Sequence, residues 1–118
     1  MKIVRQYYKE KGEMDRLIFV SREQSYHGYT IGAMSLSESS RKAPFREVTL
    51  AAWQAPKVAP CYPYRHKKDG ESLEKYKDRL LKEVEETFLS LGPYKIAAFV
   101  CETLPDRLLE LPLRPRVI

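Results

Sequence analysis

Cysteine is scarce in this sequence, which holds only Cys61 and Cys101 in 118 residues, and no Cys-x-x-Cys spacing occurs. That leaves no basis for a disulfide framework. A zinc site fails as well, because Cys61 with His66, even joined by Cys101, falls short of a ligand set. Both thiols are expected to be reduced packing residues in a cytoplasmic setting. No apolar run approaches the ~20 residues that cross a bilayer, so no membrane partner is expected. Nothing before Met14 pairs a charged leader with an apolar stretch and a cleavage site. Histidine occurs twice, as His27 and His66, each without a catalytic partner placed beside it in sequence. Charge of one sign is also missing as a block: 21 Lys and Arg stand against 16 Asp and Glu for a net +5, and they are interspersed. The longest basic run, Arg65-His66-Lys67-Lys68, meets Asp69 at once. Without a basic stripe, finger spacing or an aromatic RNA-binding pattern, no nucleic-acid partner is expected.

What is present suits one folded domain with one core: 43% hydrophobic residues, eight tyrosines and one tryptophan. Ile3, Val4, Tyr7 and Tyr8 recur at helical spacing and stop at Gly12, with no capping residue ahead of them, so Met1 reads as lying inside an element. Residues 16–21, Arg-Leu-Ile-Phe-Val-Ser, form a short apolar run of the kind buried on both faces of a parallel sheet. Small and apolar residues from Thr30 to Ser37 predict a close-packed helix, weakened by Gly32 and the serines. Four prolines, Pro44, Pro56, Pro60 and Pro63, forbid long regular elements over 41–66 and predict a long ordered connection or excursion. Leu73, Tyr76, Leu80, Val84, Phe88 and Leu91 then step by three or four, which predicts a helix capped by Asp69 or Ser72 and stopped by Gly92-Pro93. Glu71 with Lys75 and Asp78 with Lys82 are the ion pairs expected on its outer face. Residues 95–102 form a second buried strand ending in Glu102. The alternation gives an α/β fold holding part of a parallel sheet, with two strands and open edges. The residues 104–118 carry prolines and leucines without period and read as a loosely structured tail.

The loop between the first strand and the next helix holds Ser25-Tyr26-His27-Gly28-Tyr29-Thr30. Tyr26 offers a stacking face, Gly28 lets a backbone approach closely, and free amides at a helix start favour an anion. A flat, phosphate-bearing cofactor would use such a set; a tyrosine pair that merely packs a loop is the plainer alternative.

The stretch from Ser25 through Thr30-Ile31-Gly32-Ala33-Met34-Ser35 resembles the Tyr/Phe-His-Gly-x-Thr segment of class III pyridoxal-phosphate-dependent aminotransferases. Arg5-Gln6-Tyr7-Tyr8 ahead of a strand, Cys61-Tyr62-Pro63-Tyr64-Arg65, and Gly92-Pro93 with Ile96-Ala97-Ala98-Phe99-Val100-Cys101-Glu102 are similar to the same family in the same order. The resemblance implies a fragment, residues 1–103, of the PLP-binding large domain of a fold-type I enzyme, with 104–118 diverging from it. It also implies pyridoxal 5'-phosphate as cofactor, an amino donor and an oxo-acid acceptor as substrates, and a homodimeric parent. Tyr26 would stack on the pyridine ring, with His27 and Gly28 shaping the same wall and Tyr29 turned away from it. Glu102 would be the substrate-proximal glutamate, although Thr103 follows it where the family usually has proline. The family's phosphate loop, its ring-nitrogen aspartate and its Schiff-base lysine have no counterpart here, so the chain is expected to be inactive alone. A non-catalytic remnant or small interaction module that binds no cofactor productively is the alternative.

Overall fold

The computed structural model describes residues 1–38 and 40–103, so the predicted tail at 104–118 lies outside the described residues. Helix α1 spans Lys2–Glu10, strand β1 Ile18–Arg22 and helix α2 Ile31–Leu36. A 3-10 helix at Ser40–Val48 follows, then strand β2 at Lys57–Val58, a short helix α3 at Pro63–His66, the long helix α4 at Leu73–Leu91 and strand β3 at Ile96–Val100. The three strands lie in the order β2-β1-β3, and both pairings are parallel. The expected α/β architecture with a small parallel sheet is what the chain forms.

Alternation along β1 divides the core into two layers. Ile18 and Val20 pack with Val58 and Ile96 beneath Val84, Phe88 and Leu91 of α4. Phe19, one residue out of phase, faces the other way and packs with Leu36, Ala55 and Ala97 near Val4 and Tyr8 of α1. Successive side chains in a strand point to opposite faces, and helices on each side turn that period into two buried surfaces. Arg16 fastens the start of the pair, donating from Nη1 to the carbonyls of Pro93 (3.1 Å) and Ile96 (2.8 Å). As expected, α1 has no side-chain cap on its first amides.

Three expectations are corrected. The 41–66 connection contains a third strand, because Gln54, Pro56 and Val58 carbonyls accept from the amides of Phe19, Ser21 and Glu23 at 2.9, 3.1 and 2.9 Å. Proline is tolerated there because Pro56 stands just before β2, where it supplies the ladder with its carbonyl alone. Pro63 opens α3 and Pro44 sits within the 3-10 helix, and the strand and α-helix of this connection are short, as its prolines require. The ion pairs differ as well: Glu71 takes both Nε (2.9 Å) and Nη2 (2.8 Å) of Arg79, and Lys82 pairs with Glu86. The planar fork of Arg79 matches a carboxylate with two bonds where Lys75 has a single charged point to offer. Finally, Cys61 and Cys101 are free and exposed and do not pack.

Of the two proposed caps, Ser72 serves, its hydroxyl accepting from the Lys75 amide. At the other end Gly92, at φ +85°, turns the chain into β3 where a side chain would be strained. Tyr76 is the buried anchor of α4, only 1% exposed. Its hydroxyl accepts from the Tyr62 amide (2.9 Å) and donates to the Pro60 carbonyl (3.3 Å), joining α4 to the chain beyond β2.

Tyr76→Phe keeps the ring but leaves the Tyr62 amide and the Pro60 carbonyl only their mutual 3.0 Å bond, so denaturant unfolding should show a loss of about 1 kcal/mol with an unchanged slope. The Glu71 carboxyl is held down at about 2 by Arg79 and by the Lys68 amide, against an ordinary value of 4.5. Its native value lies below its unfolded one, so the stability it contributes is present above pH 4.5 and lost as pH falls toward 2. Melting temperatures of Glu71→Gln across that window should fall less steeply than those of the unsubstituted protein.

Candidate functional site

Because β1 and β3 run in parallel, their carboxyl ends share one edge of the sheet, the edge at which open α/β sheets bind ligands. From β1 the chain enters the loop 23–30; from β3 it runs through Cys101 to Glu102. The two meet across 76 positions of sequence, where the Tyr26 amide donates to Glu102 Oε1 at 2.5 Å. His27 Nδ1 stands 4.0 Å from the same oxygen, and its amide donates to Ser37 Oγ at 2.8 Å. Gly28 adopts φ +115°, a backbone angle at which a side chain would be strained, while a Cβ there would meet only that of Ala33 at 3.4 Å. All four residues singled out from sequence, Tyr26, His27, Gly28 and Glu102, therefore come together at one edge. The Tyr29 ring meets that of Tyr26 edge to face, with centroids 5.6 Å apart and an interplanar angle of 71°. Thr30 caps α2 by accepting from the Ala33 amide, which takes up one of the donors expected to be free for an anion.

Beneath the loop lies a polar floor that the sequence did not announce. Ser21, Ser25, Ser35 and Ser37 are all buried. The Leu36 carbonyl at the end of α2 accepts from Ser21 Oγ (2.8 Å) and from Lys57 Nζ (2.5 Å), with Ser25 Oγ at 3.3 Å. Lys57 also donates to Ser21 Oγ (2.7 Å) and to the Ser35 carbonyl (3.1 Å), so each ammonium hydrogen has an acceptor. Ser35 Oγ accepts from the Leu50 amide at 2.9 Å, and the Glu38 amide donates to the Ser25 carbonyl at 2.9 Å. Burial, aided by the positive charge of Lys42 and opposed by Glu38, pulls Lys57 down to about 8. The only sequence signal was the density of serine around α2, which reads first as a weak helix.

Burial also lowers His27, with Lys57 acting in the same direction and Glu102 against it. Its Nε2 is buried and has no hydrogen-bond partner among the described residues. A buried polar nitrogen in that condition costs free energy until something supplies a partner. The site thus presents an aromatic face, a glycine that permits close approach and a nitrogen with bonding capacity to spare, all within reach of one carboxylate.

The family model described as aminotransferase class-III matches residues 1–106. An uncharacterized aminotransferase of Schizosaccharomyces pombe is 41% identical over 105 residues, covering 88% of this chain and 22% of its own length. Gamma-aminobutyrate transaminase 1 of rice, named as mitochondrial, is 33% identical over 86% of this chain and 19% of its own. Among solved structures, a thermostable omega transaminase mutant from Pseudomonas jessenii superposes with TM-score 0.79 at 33% identity, covering 88% of this chain and 23% of that one. A PMP-bound aminotransferase from Vibrio fluvialis gives TM-score 0.79 over 88% of this chain and 22% of its own; at 24% identity it shows the shared fold. This chain spans about a fifth of the length of the curated relatives it matches. With the matched region running through both strand ends that build the site, the chain belongs to the class-III aminotransferase family.

Proposed function

We propose that residues 1–103 are part of the PLP-binding large domain of a fold-type I transaminase, one that moves an amino group between an amino acid or amine and an oxo acid. In this reading Tyr26, His27 and Gly28 form one wall of the cofactor site, and Glu102 stands on the substrate side. The observation that carries it is the bond from the Tyr26 amide to Glu102, which joins the aromatic loop to the acid just beyond β3 at the ligand-binding edge of the sheet.

The residues fit one face of such a cofactor. Tyr26 is half-buried and its plane is fixed by Tyr29, so it offers a flat apolar surface already ordered. Gly28 leaves room beside it, and the unpartnered Nε2 of His27 is suited to a polar substituent or an ordered water. When bound, the cofactor supplies an electron sink for cleavage of a bond at the amine-bearing carbon. This chain's part is to hold and orient: Tyr26 excludes water from one ring face, and Glu102 fixes the loop while placing a negative charge near an incoming amine. Lys57 is not the lysine that carries the cofactor, since all three of its hydrogens are engaged by oxygens of the floor. We place that lysine and the aspartate facing the ring nitrogen in the part of the parent that this chain does not match, and the active assembly in a homodimer. Two free thiols accord with a reducing compartment, the cytoplasm in this reading.

In the full-length parent, Tyr26→Ala should weaken cofactor binding by about 1 kcal/mol or roughly fivefold and shift the cofactor's absorption, while Tyr26→Phe keeps the face and stays near the unsubstituted protein. Tyr29→Ala should fall between them, because it frees the plane of Tyr26. Unchanged cofactor affinity in Tyr26→Ala would remove the stacking role. The His27 imidazole, followed by NMR, should titrate below 6.5. Replacing Glu102 with Gln removes the charge that raises it, so the midpoint should move lower still; an upward move would contradict the geometry.

A further inference from the structure

Lys57 is a costly residue to bury. It stands at the first position of β2, yet among the described residues no carboxylate bonds to it: its partners are Ser21 Oγ and the carbonyls of Ser35 and Leu36. Those carbonyls belong to the last turn of α2, where the helix has no further amide to offer them and a cation is favoured. Lys42 Nζ lies farther away, 3.4 Å from the carbonyls of Ser35 and Ser37. Ser37 follows directly, and its hydroxyl receives the His27 amide while also bonding the Ala33 carbonyl. A continuous path therefore runs from β2 through the end of α2 to the loop.

We propose that Lys57 is a positioning residue for the Tyr26–Gly28 wall: its ammonium clamps the end of α2 onto β1 and thereby holds Ser37 where it fixes the His27 amide. The inference rests on the cofactor reading above for its functional consequence, though not for the clamp itself. Helix α2 has only six residues, too few to keep its own terminus in place by internal bonds. Without the clamp the Leu36 carbonyl keeps the Ser21 hydroxyl, and the β1–β3 ladder keeps all its bonds, so loosening is confined to α2's end and the loop. Lys57 touches neither cofactor nor substrate in this scheme. It acts through Ser37 and His27.

The test uses the full-length protein in two states. In the cofactor-free state, amide hydrogen exchange is read at His27, Glu38 and Leu50, with Val20 and Val100, whose amides face into the β1–β3 ladder, as internal reference. Lys57→Met, which keeps length and loses charge and donors, should speed exchange at the first three by about tenfold or more and leave the ladder within about twofold. Lys57→Arg, which keeps a cation and donors, should recover much of that protection. Ser37→Ala cuts only the last link, so it should free the His27 amide while Leu50 stays protected, and adding it to Lys57→Met should have little further effect at His27. In titrations with pyridoxal phosphate, Lys57→Met and Ser37→Ala should each raise the dissociation constant by about three- to tenfold and shift the bound cofactor's absorption. Unchanged exchange at His27 in Lys57→Met, or equal loosening of the ladder, overturns the clamp. If Lys57→Met does not fold, unchanged His27 exchange or unchanged cofactor affinity in Ser37→Ala overturns it instead. An unsubstituted protein that binds no pyridoxal phosphate refutes the cofactor reading, and the exchange data still decide the clamp.

Discussion

Strand β1 is enclosed on all four sides. β2 and β3 pair with its two edges, α4 covers one of its faces, and α1 and α2 lie over the other. These five elements are placed by the side of β1 that each covers, and the enclosure leaves Ser21 wholly buried in the middle. A hydroxyl in that position must be satisfied from within, and it is, by donating to the Leu36 carbonyl and accepting from Lys57. The polar floor under the site thus follows from the presence of a serine in a strand that has no exposed side.

That floor joins elements that hydrophobic packing alone would leave free to slide. Apolar contacts set the distance between α2 and the sheet but are tolerant of direction, whereas hydrogen bonds to fixed carbonyls admit few arrangements. The same separation of tasks appears on the opposite layer. Val84, Phe88 and Leu91 hold α4 against the sheet, and the Tyr76 hydroxyl fixes where the chain beyond β2 meets it.

Much of this was legible from residues one turn or one strand apart. The step of three and four in Val84, Phe88 and Leu91, the stop at Gly92 and the unbroken apolar run of Ile18, Phe19 and Val20 are local, and each gave its element. Strand β2 was hidden because Pro56 and Pro60 flank a lysine and a valine, and only pairing with β1 makes that stretch a strand. The motif at Tyr26, His27 and Gly28 stood out as a motif, and Glu102 stood out as an acid closing a strand. The bond between them did not, since parallel pairing is what brings position 26 to position 102. Lys57 was missed for the same reason: its partners lie 21 to 36 positions away, and no spacing rule relates them. Ion pairing on α4 misled because the fixed fork of Arg79 prevailed over the simple four-residue spacing.

The 76 positions between Tyr26 and Glu102 also have a meaning in time. A ribosome adding about 5–20 residues per second needs roughly 4–15 s to deliver the second of these after the first. For that interval Phe19 and Val20 have emerged while β3, which will cover one edge of their strand, does not yet exist. Helices form in about a microsecond, so α1 and α2 are free to gather early, but the sheet waits on synthesis. A nascent chain of this design spends seconds with the β3 edge of its most apolar strand uncovered.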